Sequence, residues 1–190
     1  MYKSILHFLE KDIPELEKIT ENFYEKPQNI EDLVLAVKDG VIKLGIYMIE
    51  EQLNNINAAI KQSANRKLEW NVVRTDETKL ITSLGTVSYQ KTLFKNRKTN
   101  KCKYLLDELM ELIPHERITA DAVAEIYEEA VDSSYRKGGE KASLTEILTK
   151  QTVKNKLHEI QFPQEVDNTK PRVTRNIYID ADEDHISLQG

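Results

Sequence analysis

The chain has 190 residues, of which 39% are apolar and 31% are charged, and its formal net charge is -5. No apolar run approaches the ~20 residues that a membrane-spanning helix needs. A lone cysteine, Cys102, excludes both an internal disulfide and a cysteine-based zinc site. These features predict a cytoplasmic protein without a membrane partner.

The first 69 residues predict an acidic helical region, since 1–60 hold six basic and eleven acidic residues. Apolar spacing predicts a helix over 1–26, broken near Asp12–Ile13 because Pro14 lacks a backbone donor. A second helix is predicted over about 30–68. One apolar seam favours a helical hairpin within the chain, and a coiled-coil homo-oligomer is the alternative. The seam comprises Ile30, Leu33, Val34, Val37, Val41, Leu44, Met48, Leu53, Ile56 and Ile60.

Residues 70–104 predict an antiparallel meander of three or four short strands, because β-branched and aromatic residues are frequent there. Turns are predicted at Thr75–Thr78 and around Gly85, which is expected to take a positive φ. Residues 88–103 carry a basic stripe without an acid. The stripe is suited to phosphate contacts, and a lysine-rich tip that protects an edge strand explains it equally well. The residues singled out for DNA contact are Lys95, Arg97 and Lys98.

Residues 105–162 predict a helix-turn-helix-like DNA-binding unit, with helices at about 119–134, 135–142 and 150–160. Such a unit needs a last helix with one docking stripe and an exposed face that meets bases and phosphates. Asn and Gln pair with adenine edges, and Lys reaches guanine or phosphate. The DNA-binding candidates are Lys150, Gln151, Thr152, Lys154 and Asn155 on the last helix, and Arg136 and Lys137 on the helix before it.

The inward positions of this unit are predicted at Ala122, Ile126 and Ala130, with either Val131 or Ser133, and at Val153, Leu157 and Ile160. Thr149 is predicted to cap the last helix, and Gly138 and Gly139 weaken the middle helix. An ordinary helical subdomain with a solvated polar face is the alternative. The connection 142–149 favours that alternative, because it exceeds the usual turn of 3–4 residues.

The segment 177–190 reads IYIDADEDHISLQG and follows a linker predicted at 163–174. Alternate side chains of a strand share a face, so Asp180, Asp182 and Asp184 would point the same way. Such a cluster of carboxylates suits Mg²⁺ or Mn²⁺, whereas a solvated acidic segment is the simpler interpretation. The sequence has no phosphate-binding glycine loop and no HExxH motif, which argues against most nucleotide-binding and hydrolase functions.

Five blocks carry a family resemblance: WNVVRTDETKLITSLGTVSYQKTLFKNRKT, LLDELMELIPHERIT, AVDSSYRKGGEKAS, TKQTVKNKLHEI and IYIDADEDHISLQ. In this order they resemble a family of bacterial insertion-sequence transposases, distantly related to the Mutator group and often catalogued only as an uncharacterised protein family. The resemblance covers about residues 70–190.

The resemblance implies an RNase H-like catalytic domain in which an Asp, a second Asp and a Glu hold two Mg²⁺ ions at a phosphodiester. Residues 175–190 then form its first strand, and the first catalytic and metal-holding acid is Asp182, with Asp180 the second choice. The second Asp and the Glu belong to later strands of the relatives, and a single carboxylate strand cannot hold two ions.

The sequence as a whole therefore predicts a mainly α, α+β protein: a truncated transposase that binds DNA at insertion-sequence ends. We expect it to bind no cofactor by itself and to be catalytically inactive. One alternative is a stand-alone DNA-binding regulator of the parent element. The other is an interaction protein that uses its long helix and does not bind DNA.

Overall fold

The computed structural model describes residues 2–27, 30–113 and 116–160. The described part is a mainly helical α+β structure with a small three-stranded antiparallel sheet, which confirms the predicted class. No helix in these ranges has both the length and the apolar character that a membrane crossing requires. The elements are α1 (Lys3–Glu25), α2 (Ile30–Gln62), α3 (Ala64–Glu69), β1 (Trp70–Ile81), β2 (Thr86–Asn96), β3 (Cys102–Tyr104), α4 (Leu105–Leu109), α5 (Ala120–Asp132), α6 (Tyr135–Lys141) and α7 (Lys150–His158).

Helices α1 and α2 form an antiparallel hairpin. At one end, Glu51 accepts hydrogen bonds from the backbone N–H groups of Lys3 at 2.9 Å and Ser4 at 2.8 Å. Further along, Leu16 packs over Gly40. The predicted break near Asp12–Ile13 is wrong, since α1 continues through Pro14. Packing of α1 along α2 outweighs the one backbone hydrogen bond that proline removes.

The second helix ends earlier than the sequence predicts. Helix α2 stops at Gln62, and Ser63 caps α3 by accepting from the Arg66 N–H at 3.5 Å. The side chain of Arg66 then donates to the carbonyl oxygen of Trp70 at 3.2 Å, where β1 begins. A serine that can cap a new helix therefore divides what apolar spacing alone predicts as one helix.

The sheet is an antiparallel meander in the order β1-β2-β3. Strands β1 and β2 pair from Trp70↔Asn96 to Ile81↔Thr86, with a register shift between Val72 and Arg74. The predicted turn at Thr75–Thr78 is wrong, because these residues pair with Thr92–Tyr89 inside the long hairpin. Cross-strand pairing has overridden the weak turn signal of a polar segment.

The predicted turn around Gly85 is confirmed. Thr82 and Gly85 exchange backbone hydrogen bonds of 3.0 and 3.2 Å, and Gly85 has φ = 158°. Space also requires glycine here, since an added Cβ would lie 2.6 Å from Thr145 Oγ1 and 2.7 Å from Ile46 Cδ1. The turn is thus wedged between α2 and the segment that precedes α7.

One face of the sheet packs on the second half of α2. Leu80, Val87, Tyr89 and Leu106 are buried there. Burial raises the pKa of Tyr89 to about 12. The predicted α2 seam is therefore only partly correct, because only its second half contacts this core. The α2 residues against the core are Ile46, Ile49, Leu53, Ile56 and Ile60.

Helix α2 also covers an open edge of the sheet. β3 pairs only with 93–95 of β2, so backbone groups at 88–92 lack a strand partner on that side. Three polar α2 side chains replace the missing strand, because their oxygens accept from alternate β2 N–H groups. The hydrogen bonds are Ser88 N to Glu50 Oε1 at 2.7 Å, Gln90 N to Asn54 Oδ1 at 2.8 Å and Thr92 N to Asn57 Oδ1 at 3.1 Å. We call this set the edge ladder.

Replacing Asn57 by alanine tests the edge ladder. Thr92 is fully buried, so Asn57→Ala leaves its N–H without a partner or water, and we expect the free energy of unfolding to fall by about 2 kcal/mol. The control Asn54→Ala frees the N–H of Gln90, which is exposed. Water can replace that bond, so the loss should stay below about 1 kcal/mol. Urea unfolding measures both, and equal losses would contradict the assignment.

Candidate functional site

Helices α5, α6 and α7 form a three-helix unit with its own core. Ile126, Ala142 and Val153 are completely buried and lie at its centre. The predicted inward positions Ala122, Ile126 and Val153 are confirmed. Ser133 is exposed, so it is not an inward position, and the side chain of Val131 lies outside the described part.

The two glycines of α6 allow its neighbours to approach closely. A Cβ on Gly138 would lie 3.2 Å from both the Ala130 Cβ and the Ile126 carbonyl oxygen. A Cβ on Gly139 would collide with the carbonyl of Leu148. Helix α6 forms where it was predicted, so close packing offsets the cost of two glycines in a helix, and at Gly139 it leaves no room for a side chain.

The inner side of α7 is held by specific contacts. Thr149 caps the helix, as predicted, by accepting from the Thr152 N–H at 3.2 Å. The hydroxyl of Tyr127 donates to the Lys156 carbonyl oxygen at 2.9 Å, and Lys156 Nζ lies 2.9 Å from Glu116 Oε2. Burial opposes the charge of Lys156, but hydrogen bonds to carboxylates outweigh it and raise its pKa.

The outer side of α7 carries four of the DNA-binding candidates. Lys150, Gln151, Lys154 and Asn155 are exposed, and Gln151 Nε2 donates to Asn155 Oδ1 at 2.8 Å. This group is called the α7 face below. Thr152 does not belong to it, since its hydroxyl lies 2.9 Å from that of Thr149 and its side chain is half-buried within the cap.

Arg136 and Lys137 lie on α6 and are exposed. The guanidinium of Arg136 is 2.9 Å from the Glu140 carboxylate one turn later, so part of its charge is balanced locally. Within the described ranges, Lys137 makes no ion pair. The structure thus brings both residues into the same three-helix unit as the α7 face.

The basic stripe of the sequence divides into two sets. Lys91 is half-buried and pairs with Asp107 of α4 at 2.8 Å, and Lys103 pairs with Glu108 of the same helix. The rest remains exposed around the β2–β3 turn, where Arg97 is fixed by a 3.0 Å hydrogen bond to Asn71. We call this set the hairpin tip. It consists of Lys95, Arg97, Lys98 and Lys101.

The α7 face and the hairpin tip belong to opposite ends of the sheet. The three-helix unit is attached at the β1–β2 turn, where Ser83 bonds to Asp121 and to the N–H of Leu144. The tip follows Asn96, ten residues along β2 from Thr86, which corresponds to roughly 33 Å of strand. The two candidate surfaces are therefore separate rather than one basic patch.

Sequence reasoning missed the residues of this attachment. Asp121 Oδ2 accepts from the Ser83 N–H at 2.8 Å, and the residue before α5, Thr119, donates its hydroxyl to the Ile81 carbonyl oxygen at 3.1 Å. Thr119 precedes α5, as predicted, but its side chain makes no capping bond. The sequence shows Asp121 in the first turn of α5, where an acid is favourable, but this does not reveal that its partner is Ser83 in the β1–β2 turn.

The predicted metal site lies outside the described residues, as do Asp180, Asp182, Asp184 and the linker 163–174. Among the residues that the structure does describe, no three His, Cys, Asp or Glu side chains are placed to hold a metal ion.

This architecture, an α-helical hairpin on a small sheet followed by a three-helix unit, defines a mainly helical α+β protein. The chain belongs to the uncharacterised protein family UPF0236, whose model matches residues 24–190. No solved structure matches the chain significantly.

Relatives occur in Caldanaerobacter subterraneus subsp. tengcongensis. One UPF0236 protein from this organism, whose name joins eleven gene designations, is 36% identical over 178 residues. Two others are each 35% identical over the same length. The matches cover 92% of this chain and 38%, 38% and 36% of the respective relatives. The chain thus spans little more than a third of their length.

The attachment of the three-helix unit should depend on the charge of Asp121. Burial raises its pKa, but hydrogen bonding from neighbouring groups, among them the Ser83 N–H, outweighs burial and holds the pKa below its usual 3.8. A folded-state pKa below the unfolded value means that stabilisation is complete above about pH 3.8 and is lost as pH falls through the folded value.

We therefore expect Asp121→Asn to lower the free energy of unfolding by roughly 1 kcal/mol at pH 7. The difference from the unchanged protein should shrink at pH 3, because the unfolded chain takes up a proton on this carboxyl below about pH 3.8 while the folded state resists doing so. The exposed acid Glu128 of the same helix provides the control Glu128→Gln, which should leave stability unchanged. A difference for Asp121→Asn that stays constant between pH 7 and pH 3 would contradict this role.

Proposed function

We propose that this chain is the DNA-binding part of a transposase-like protein, with the α7 face as its principal contact to DNA. The observation that carries the proposal is the division of α7. Val153 fixes one side in the core of the three-helix unit, while the exposed side presents two lysines beside an amide pair. A helix docked in this way can place amides against base edges and lysines against phosphates.

The charge distribution supports this orientation. The α7 face carries Lys150 and Lys154 and no acid, whereas the cation on the inner side, Lys156, is already balanced by Glu116. The acidic α1–α2 hairpin is not part of this unit. Phosphate attraction would therefore act on the α7 face, although the whole chain has a net charge of -5.

The family supports a mobile element as the context. One relative bears eleven gene designations in a single organism, another bears four and a third bears two. A protein present at many loci of one genome is the expected product of an element that inserts copies of itself. The sequence resemblance to insertion-sequence transposases points to the same class.

The catalytic step is assigned to the longer relatives. In this proposal Asp182, or alternatively Asp180, contributes the first carboxylate of a Mg²⁺ site whose other acids are not among these 190 residues. One carboxylate cannot position two ions at a phosphodiester. By themselves these residues would then bind DNA, at the ends of the parent element, without cutting it.

A double substitution on α7 tests the DNA contact. Lys150→Ala/Lys154→Ala removes two phosphate partners, so the slope of log affinity against log salt should flatten by about 2. The matched control is Lys11→Ala/Lys18→Ala, which removes the same charge from exposed positions on α1. It should leave binding unchanged.

The measurement is fluorescence anisotropy on a duplex with the terminal repeats of the element that encodes the chain, and on a scrambled duplex of equal length. Asn155→Ala should reduce the preference for the repeats more than it reduces binding to the scrambled duplex, because amides read bases. Unchanged salt dependence in the α7 double variant, or no DNA binding by the chain, would refute the proposal.

The hairpin tip requires a separate test. If it contacts phosphate, Lys95→Ala/Lys98→Ala should also flatten the salt dependence, and the effect should add to that of the α7 variant because the two surfaces lie far apart. If the tip only protects the sheet, the variant should bind DNA normally. Arg97 is left intact, because its hydrogen bond to Asn71 helps to hold the turn.

A stand-alone regulator of the parent element is the second candidate. The same α7 face would then act without a catalytic domain, and the chain alone should occupy the terminal repeats strongly enough to repress transcription from them. A reporter gene placed behind the repeats distinguishes the two candidate functions. Repression by the chain alone indicates a regulator. Absence of repression indicates a part of a longer transposase, which needs the whole protein for its activity.

A further inference from the structure

Helix α2 carries an apolar surface that neither α1 nor the sheet covers. Six residues between Ile30 and Met48 are spaced alternately by four and three positions, and five of them expose 39 to 63% of their area. Leu44 is the half-buried member. We call this set the α2 stripe. It consists of Ile30, Val34, Val37, Val41, Leu44 and Met48.

The other two faces of α2 are occupied. Leu33 and Gly40 lie on the side of α1, and Ile49, Leu53 and Ile56 lie against the sheet. The stripe falls between these faces, on a third side of the helix. Beyond Met48 the next two positions on this side are Gln52 and Asn55, so the continuous apolar surface ends where α2 reaches the sheet. The long helix therefore serves intrachain packing and still presents a separate apolar surface.

We propose that the α2 stripe pairs with the stripe of a second copy of this chain, forming a two-stranded coiled coil. The first argument is the spacing, because apolar residues at alternating steps of three and four form the line along which two helices pack in a coiled coil. The residue types are the second. Val34, Val41 and Met48 take the first core position of the repeat, and Ile30, Val37 and Leu44 take the second, so all six core positions are apolar. The valines at the first position and Leu44 at the second are the types that two-stranded pairs favour, whereas Ile30 and Val37 at the second position are not.

The size of the stripe fits a weak dimer. Eighteen steps along the helix give it a length of about 27 Å. Two copies would bury on the order of 1,000 Å² with their flanks, which lies at the lower end for specific interfaces. The pairing should therefore be concentration-dependent rather than permanent.

The surrounding charges argue against other occupants. Residues 1–60 have a net charge of -5, which disfavours an anionic membrane or a nucleic acid on this surface. The same charge repels a second copy, so the pairing should strengthen as salt is raised. This inference does not depend on DNA binding by the α7 face.

Sedimentation velocity over a concentration series of the whole chain tests the proposal. The unchanged protein should shift from monomer to dimer as the concentration rises through the micromolar range. Val41→Asp places a charge in the apolar contact and should raise the dissociation constant at least about tenfold. Leu35→Asp is the matched control, because Leu35 is on the same helix and equally exposed, at 63%, but lies off the stripe.

A cysteine substitution reports the geometry of the pair. In a Cys102→Ser background, Val41→Cys should form a disulfide-linked dimer on oxidation if the two helices are parallel and in register. Leu35→Cys should not. Circular dichroism should show the same helix content for all variants, since each site is exposed in the single chain.

Three results would overturn the proposal. The unchanged chain could remain monomeric at every concentration, Leu35→Asp could weaken association as much as Val41→Asp, or the monomer could bind anionic phospholipid vesicles through the stripe. The last outcome would assign the surface to a membrane, and a loss of vesicle binding in Val41→Asp would identify it.

Discussion

The edge ladder is the interaction on which the described structure depends. On the side away from β1, the N–H groups of Ser88, Gln90 and Thr92 in β2 have no strand beside them, and a buried amide without a partner is costly. Glu50, Asn54 and Asn57 supply the acceptors and thereby fix α2 in one position along the sheet. With α2 fixed, its apolar residues cover the sheet core, and α1 packs on a remaining side. The placement of the helical hairpin thus follows from three polar side chains as much as from burial.

Ion pairs decide which cations remain available for binding. A count along the sequence gives six basic residues in the stripe at 88–103, but α4 neutralises Lys91 and Lys103. Glu116 likewise neutralises Lys156 on the inner side of α7. The unbalanced charge is left at the two ends of the sheet, on the α7 face and the hairpin tip. The fold therefore leaves only the hairpin tip of the basic stretch unbalanced, at a distance from the separate α7 face.

Local signals predicted much of the structure. Apolar spacing and a capping threonine located α7, and the glycine turn located the β1–β2 hairpin. The failures share one cause, which is that tertiary contacts outweigh local preference. Pro14 lies inside a helix that α2 supports, and Thr75–Thr78 forms part of a strand because β2 pairs with it. The edge ladder was not predicted, because hydrophobic patterns do not identify polar side chains that accept hydrogen bonds from a distant strand.

The contact between Gly45 and Leu84 joins helix α2 to the β1–β2 turn. A Cβ at Gly45 would lie 2.5 Å from Leu84 Cδ2, so the size of residue 84 sets the size allowed at residue 45. Leu84 belongs to the turn that also carries the three-helix unit through Ser83. A bulkier residue on the helix would first displace the end of the Leu84 side chain, and the turn with its attached unit would move only where that side chain cannot turn away. Paired substitution, with a larger side chain at one position and a smaller one at the other, is the route by which this junction can vary without altering the orientation of α7.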